Sequence, residues 1–177
     1  MSFEEICQIL KSQFGDAIEE TAVDSCRPYV IVSNDKWTEV ATFLRNDSRM
    51  AFDFLQCISA IDLLADDKLA CVYDLAAMSP VSATENMSYA RELAVRVVTD
   101  RNNPQIASVA HLWAAADWHE REAYDLMGID FPGHPNLERI LCPDDWVGHP
   151  LRKDYAHPLE YHGIPGTTEH ELKSPRH

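Results

Sequence analysis

Apolar residues recur at helical spacing from the start of the chain: Phe3, Ile6, Ile9 and Leu10, with Glu4 and Glu5 in the first turn. This predicts a helix over 2–13 that stops at Gly15. PYVIVS (28–33) is a short apolar run behind a proline and reads as a strand. Asn34 or Asp35 caps a second helix, 35–46, whose inner face is Trp37, Val40, Ala41 and Leu44. The segment 55–63 fits either a strand or a helix and is assigned to a strand. LACVYDLAAM (69–78) is a strand entered through the turn at Asp66, Asp67 and Lys68. From 88 to 99, Leu93, Val95 and Val97 interleave with Arg96 and its polar neighbours, which predicts one buried face and an antiparallel partner. A last helix is expected over 106–127. The elements sum to an α+β fold: a small mixed β-sheet of about four strands covered by about three helices.

The pattern breaks after Gly128. Seven of ten prolines lie at or beyond 132, five of six glycines at or beyond 128, and six of eight histidines after 130. Proline at that density denies the segment a long helix or a central strand. Yet it keeps Phe131, Leu137, Ile140, Leu141, Trp146, Leu151 and Tyr155, which disordered tails lack. The organisation read from this is an α/β domain, 1–128, and an extended arm, 129–177, whose anchor side chains lie along its own domain or a neighbour.

Composition narrows the class. Fifteen Lys and Arg against 29 Asp and Glu give a net charge of −14, which argues against nucleic acid and against anionic lipid as partners. No apolar run approaches the roughly 20 residues of a membrane span. Two early glutamates stand where a secretory signal carries basic residues, so the chain is expected in the cytoplasm. Cys7, Cys26, Cys57, Cys71 and Cys142 are scattered, as reduced thiols are; cluster-binding cysteines are spaced closely.

Candidate chemistry concentrates in WHEREAYDLMG (118–128). At about 100° per residue, Glu120 shares a stripe with Ala116, Ala123, Tyr124 and Met127, whereas Glu122 points about 160° away. Two carboxylates so placed do not converge on one bond. Arg121 stands four residues from both Asp117 and Asp125, a ladder that supports the helix. Glu120 sits among apolar neighbours, so its burial demands donors or a cation, and no neighbour on its stripe offers one. His119-Glu120 begins a zinc-protease motif, but Ala123 stands where the second histidine belongs. Histidines 134, 149, 157 and 162 lack metal-ligand spacing. Phosphate-cradling glycine loops and the serine elbow are absent. Two phrases rhyme, GHPNLERI (133–140) and GHPLRKDY (148–155). In each, glycine and proline aim a histidine and a following cation; Arg139, Arg152 and Lys153 are expected to reach Glu120, Glu122 or another subunit.

The run 118–155, WHEREAYDLMGIDFPGHPNLERILCPDDWVGHPLRKDY, closely resembles the 30-kilodalton (C) subunit of respiratory complex I, the NADH–quinone oxidoreductase of bacteria and mitochondria. SVAHLWAAADW (108–118) is also similar, while the first hundred residues share only the order of elements. The shared pattern takes in Glu120, Arg121, Glu122, Asp125, His134, Arg139, Asp144, Asp145, Trp146, His149, Arg152, Lys153, Asp154 and Tyr155, and the resemblance implies that these serve partner contact or docking of the arm. It further implies an accessory, non-catalytic subunit of the peripheral arm on the cytoplasmic side of the bacterial inner membrane, reaching the membrane only through the complex. Its neighbours would be the quinone-pocket subunit (D) and the subunit of the terminal iron–sulfur cluster (B). FMN, the Fe-S clusters, NADH and quinone would belong to those partner subunits, with no cofactor, metal or catalytic residue in this chain. The alternative is the equivalent subunit of a membrane-bound hydrogenase or another complex-I-like enzyme with a different electron donor.

Overall fold

Helix α1 (Phe3–Phe14) starts on a capping box: the Ser2 hydroxyl accepts the Glu5 N–H while the Glu5 carboxylate accepts the Ser2 N–H. The computed structural model describes residues 1–23, 25, 27–78 and 91–165. After α1 come strands β1 (Ile18–Ala22) and β2 (Tyr29–Val32), then helix α2 (Trp37–Asn46). Strands β3 (Phe54–Leu63), β4 (Lys68–Ala77) and β5 (Arg91–Asp100) follow, then helix α3 (Ala116–Met127). A short ribbon of β6 (Glu160–Tyr161) and β7 (Ile164–Pro165) closes the described chain.

The sheet runs in the order β1-β2-β5-β4-β3. It is mixed, as the alternation of its strands suggests, but it has five strands where about four were expected. The extra one, β1, reads IEETA; only Ile18 is buried, so the segment carries almost no apolar signal. β5 has the expected antiparallel partner in β4 and a second, parallel partner in β2.

One face of the sheet carries the core. Val30 and Val32 of β2, Leu69, Cys71, Tyr73 and Leu75 of β4, and Leu93, Val95 and Val97 of β5 pack with Ile6 and Leu10 of α1 and with Trp37, Val40 and Leu44 of α2. Each such side chain contributes about 1.5–3 kcal/mol on burial. The rings of Trp37 and Tyr73 meet at 4.3 Å between centroids. The opposite face is polar in part: Arg96 lies over the Tyr29 ring, and Asp74 holds Arg27 and accepts from Cys57.

The expected helix over 106–127 is half turn structure. Ile106, Val109 and Trp113 are buried at a spacing that mimics a helix, but they anchor a loop. Ile106 N–H donates to the Asp130 carbonyl and Ser108 N–H to the Pro132 carbonyl, so this segment pairs with the chain leaving α3. The Trp113 indole donates to the Phe52 carbonyl at 2.9 Å. Only from Ala116 does the helix run. No described helix is long and apolar enough to cross a membrane. Residues 88–90 of the expected strand, 166–177 of the expected arm, and Cys26 lie outside the described residues.

Candidate functional site: the α3 helix and the arm it holds

Helix α3 ends at Gly128, whose φ of +70° lets its N–H reach back to Tyr124 O. The chain then turns over the helix and follows it. Three buried carboxylates organise the helix and the chain on either side of it.

Glu120 is fully buried. One of its oxygens accepts the Ser108 hydroxyl at 2.6 Å and the other accepts the Val109 N–H at 2.8 Å. Burial pushes its pKa above the ordinary carboxylate value, and the Ser108 and Val109 donors pull the other way. The donors thus come from the turn before the helix; a continuous helix over 106–127 would carry them about three turns away from Glu120. The arm supplies His134, not an arginine. Its Nε2 stands 3.9 Å from Glu120, 3.3 Å from the Asp117 carboxylate and 3.1 Å from the Asp117 carbonyl. Because the His134 Nδ1 accepts the Asn136 N–H, Nε2 carries the proton and donates to that carbonyl.

Asp125 is also fully buried. Its Oδ2 accepts three consecutive backbone N–H groups, from Ile140 at 3.0 Å, Leu141 at 2.7 Å and Cys142 at 2.9 Å, while Oδ1 accepts from the Arg139 guanidinium at 2.9 Å. Burial alone raises an acid's pKa, but these donors outweigh it and hold the Asp125 carboxyl below its usual range. Arg139 also donates to the Gly148 carbonyl, tying the two rhyming phrases together.

The third anchor was not read from the sequence. Asp62, buried on β3, pairs with Arg101, and Arg101 pairs in turn with Asp154 of the arm. The Lys153 N–H donates to the other Asp62 oxygen at 2.7 Å. The signal was present as an aspartate inside an apolar strand, which in isolation names no partner.

The arm also caps the end of α3. Arg152 Nε donates to the Met127 carbonyl at 2.8 Å, Leu151 N–H to the Leu126 carbonyl, and His149 Nδ1 to the Asp125 carbonyl at 3.0 Å. A cation over the last carbonyls suits the negative end of the helix dipole. Burial, with Arg152 and Arg139 nearby, lowers the His149 pKa. Tyr155 packs its ring under Gly148 and donates to the Val147 carbonyl.

Other singled-out residues fall elsewhere. Arg121 pairs with Glu138 at 3.0 Å and stacks on Trp118; the expected ladder to Asp117 and Asp125 does not form, because those acids turn toward His134 and the arm. Asp145 accepts the Tyr161 hydroxyl and faces His162, while Trp146 stacks on Tyr161. Asp144 and the Lys153 side chain are exposed. Glu122 is exposed, meets none of the expected arm cations, and rims a cleft of about 220 Å³ between β3 and α3. Among the described residues no three His, Cys, Asp or Glu stand together as metal ligands do. The two fully buried α3 acids bind donors on either side of the helix: Glu120 those of the turn before it, Asp125 those of the segment after it.

The sheet from Val30 of β2 onward, helix α3 and the segment it clasps all lie within the stretch that defines a family of respiratory-chain subunits. The chain belongs to the respiratory-chain NADH dehydrogenase 30 Kd subunit family, whose pattern matches residues 30–161. The NADH-quinone oxidoreductase C subunit of Chloroherpeton thalassium is 44% identical over 158 residues, covering 89% of this chain and 62% of that protein. Its counterpart in Chlorobium phaeobacteroides is 38% identical over 157 residues, covering 88% of this chain and 90% of that one. This chain therefore spans less than two thirds of the Chloroherpeton relative but nearly all of the Chlorobium one. Among solved structures, the trypsin-resistant fragment (1-134) of Nqo5 has a TM-score of 0.61 at 26% identity, over 77% of this chain and all of that fragment. A chain of the membrane-bound sulfane sulfur reductase, an archaeal respiratory membrane complex, shares the fold at a TM-score of 0.66, over 86% of this chain and 85% of that one, at 24% identity.

Proposed function

We propose that this chain is an accessory subunit of the peripheral arm of a proton-pumping NADH:quinone oxidoreductase, and that it holds the quinone-module subunits together without performing chemistry itself. In this reading electrons pass from NADH through FMN and Fe-S clusters in other subunits to quinone. The chain sits on the cytoplasmic side of the membrane beside the quinone-pocket subunit (D) and the terminal Fe-S cluster subunit (B). The observation that carries the reading is the saturation of Asp125: four donors occupy its two oxygens, so a fully buried acid of the signature helix is committed to shaping the arm. Family membership supports the setting. Positioning matters chemically, because small displacements of a redox or quinone site cost large factors in rate.

Affinity purification of the tagged chain from membranes in mild detergent tests this. Co-purification of the quinone-pocket and terminal-cluster subunits is the expected result; recovery of the chain alone would sink the reading. Replacing Glu122 or Arg152 should mainly lower the amount of assembled complex. Variants that assemble fully yet lose quinone reduction would assign those residues to chemistry. Metal analysis of the purified chain should find no stoichiometric zinc or iron after chelation.

A second reading places the chain at the same position in a complex fed by a different donor. The fold shared with the sulfane sulfur reductase chain favours keeping it. Neighbouring reading frames discriminate: a flavin- and NADH-binding subunit for the first, a hydrogenase large subunit for the second.

A further inference from the structure

The cleft beside Glu122 is left open by the described residues. Ile58 and Ala60 of β3 form one wall, Leu126 and Met127 of α3 the other, and Leu151 of the arm closes one end. Leu151 is 59% exposed, although His149 and Arg152 beside it are hydrogen-bonded to α3. Glu122 stands at the rim. On the same helix Asp117 faces His134, Glu120 is held by Ser108 and Val109, and Asp125 is held by the arm. Glu122 alone among these acids has no partner among the described residues.

Size and charge define the occupant. At about 220 Å³ the cleft falls below the roughly 300–1,000 Å³ of small-molecule sites, so it suits one inserted side chain and not a free cofactor. Its lining is mostly apolar side chains with Ser59 among them, and Glu122 stands at its rim, which matches a long methylene stem carrying a cationic head. The chain's net charge of −14 favours a basic visitor.

We propose that this cleft receives a lysine or arginine side chain of a sister subunit, with its methylenes on Ile58, Ala60, Leu126 and Met127 and its head at Glu122. This rests on the assembly reading above and adds to it the chemistry of one contact. The insertion is a docking contact of partly desolvated charge, so losing Glu122 removes a charge-assisted pair and leaves the partner's cation stranded.

The test uses the intact complex. A photo-crosslinking benzoylphenylalanine replaces Leu151, and the detergent-purified complex is irradiated and mapped by mass spectrometry. The expected adduct joins this chain to a sister subunit within a few residues of a lysine or arginine. Glu122→Lys should lower adduct yield about tenfold and Glu122→Gln about threefold, in complexes matched for subunit content. An adduct to a segment without a cation, to lipid or to a second copy of this chain overturns the proposal while the assembly reading stands. So does a yield indifferent to Glu122→Lys. Failure of the Leu151 variant to co-purify is resolved by moving the probe to Leu126, where the same outcomes apply. Absence of every sister subunit even from the unmodified chain overturns both the contact and the reading beneath it.

Discussion

Removing the Asp125 carboxylate strands the Ile140, Leu141 and Cys142 N–H groups and the Arg139 guanidinium together. Asp125→Ala should therefore cost about 3–5 kcal/mol, measured by urea denaturation, because a buried charge and its donors lose their common partner. Glu120 and Asp125 should respond to pH in opposite ways. The folded pKa of Asp125 is lowered, so its stabilisation is complete above about pH 3.9 and fades as pH falls through the folded value. The folded pKa of Glu120 is raised, so its contribution is complete below about pH 4.3 and is lost as pH rises through the folded value. Urea midpoints of Glu120→Gln should lack that second decline, since the amide keeps an acceptor for the Val109 N–H and has no charge to bury. Gly128 gives a third residue-scale prediction. A Cβ there would meet the His149 ring at 2.5 Å and Arg152 Nη2 at 2.9 Å, at a φ of +70°. Gly128→Ala should cost at least about 1–2 kcal/mol from backbone conformation alone. It should also raise hydrogen exchange at residues 149–152.

At the scale of elements, the ion cluster on β3 separates buried from exposed pairing. Asp62 and Arg101 are 2% and 6% exposed in their side chains, whereas Asp154 is 54% exposed. Asp62→Ala should cost about 3–5 kcal/mol and Asp154→Ala less than about 1 kcal/mol, compared by thermal or urea unfolding. The same contrast explains what could be read from the chain. α1, α2 and β4 were legible because their apolar positions keep one period and face one core. β1 was not, because an edge strand of five residues with one buried side chain carries no period. The turn at 106–115 misled through Ile106, Val109 and Trp113, whose spacing satisfies a helix while their backbone bonds lie elsewhere. That single error hid the donors of Glu120. Asp62 was missed for a different reason: its partners, Arg101 and the Lys153 N–H, are brought to it by tertiary folding, to which local pattern is blind.

For the whole molecule, the apolar anchors of the arm divide into two sets. Phe131 is buried in the domain core, whereas Leu141, Val147 and Leu151 are 60%, 83% and 59% exposed. The first kind fastens the arm to its own domain. The second leaves apolar area exposed to solvent, which the proposed assembly role would cover. If the arm serves assembly, polar replacement of Val147 should leave the urea midpoint of the isolated chain within about 0.5 kcal/mol and reduce the yield of assembled complex. A shift in the midpoint with no change in yield would assign Val147 to the domain.

The position of β5 bears on how the polypeptide matures. β1-β2 and β3-β4 are local ribbons, and only the late strand, wedged between them, makes one sheet of the two. Isolated two-stranded ribbons are marginal in water. A nascent chain that has not yet delivered residues 91–100 consequently carries two unfinished edges, and the decisive gain in order comes in a single, non-local closure. Truncation before that strand should yield an aggregation-prone product instead of a smaller stable domain.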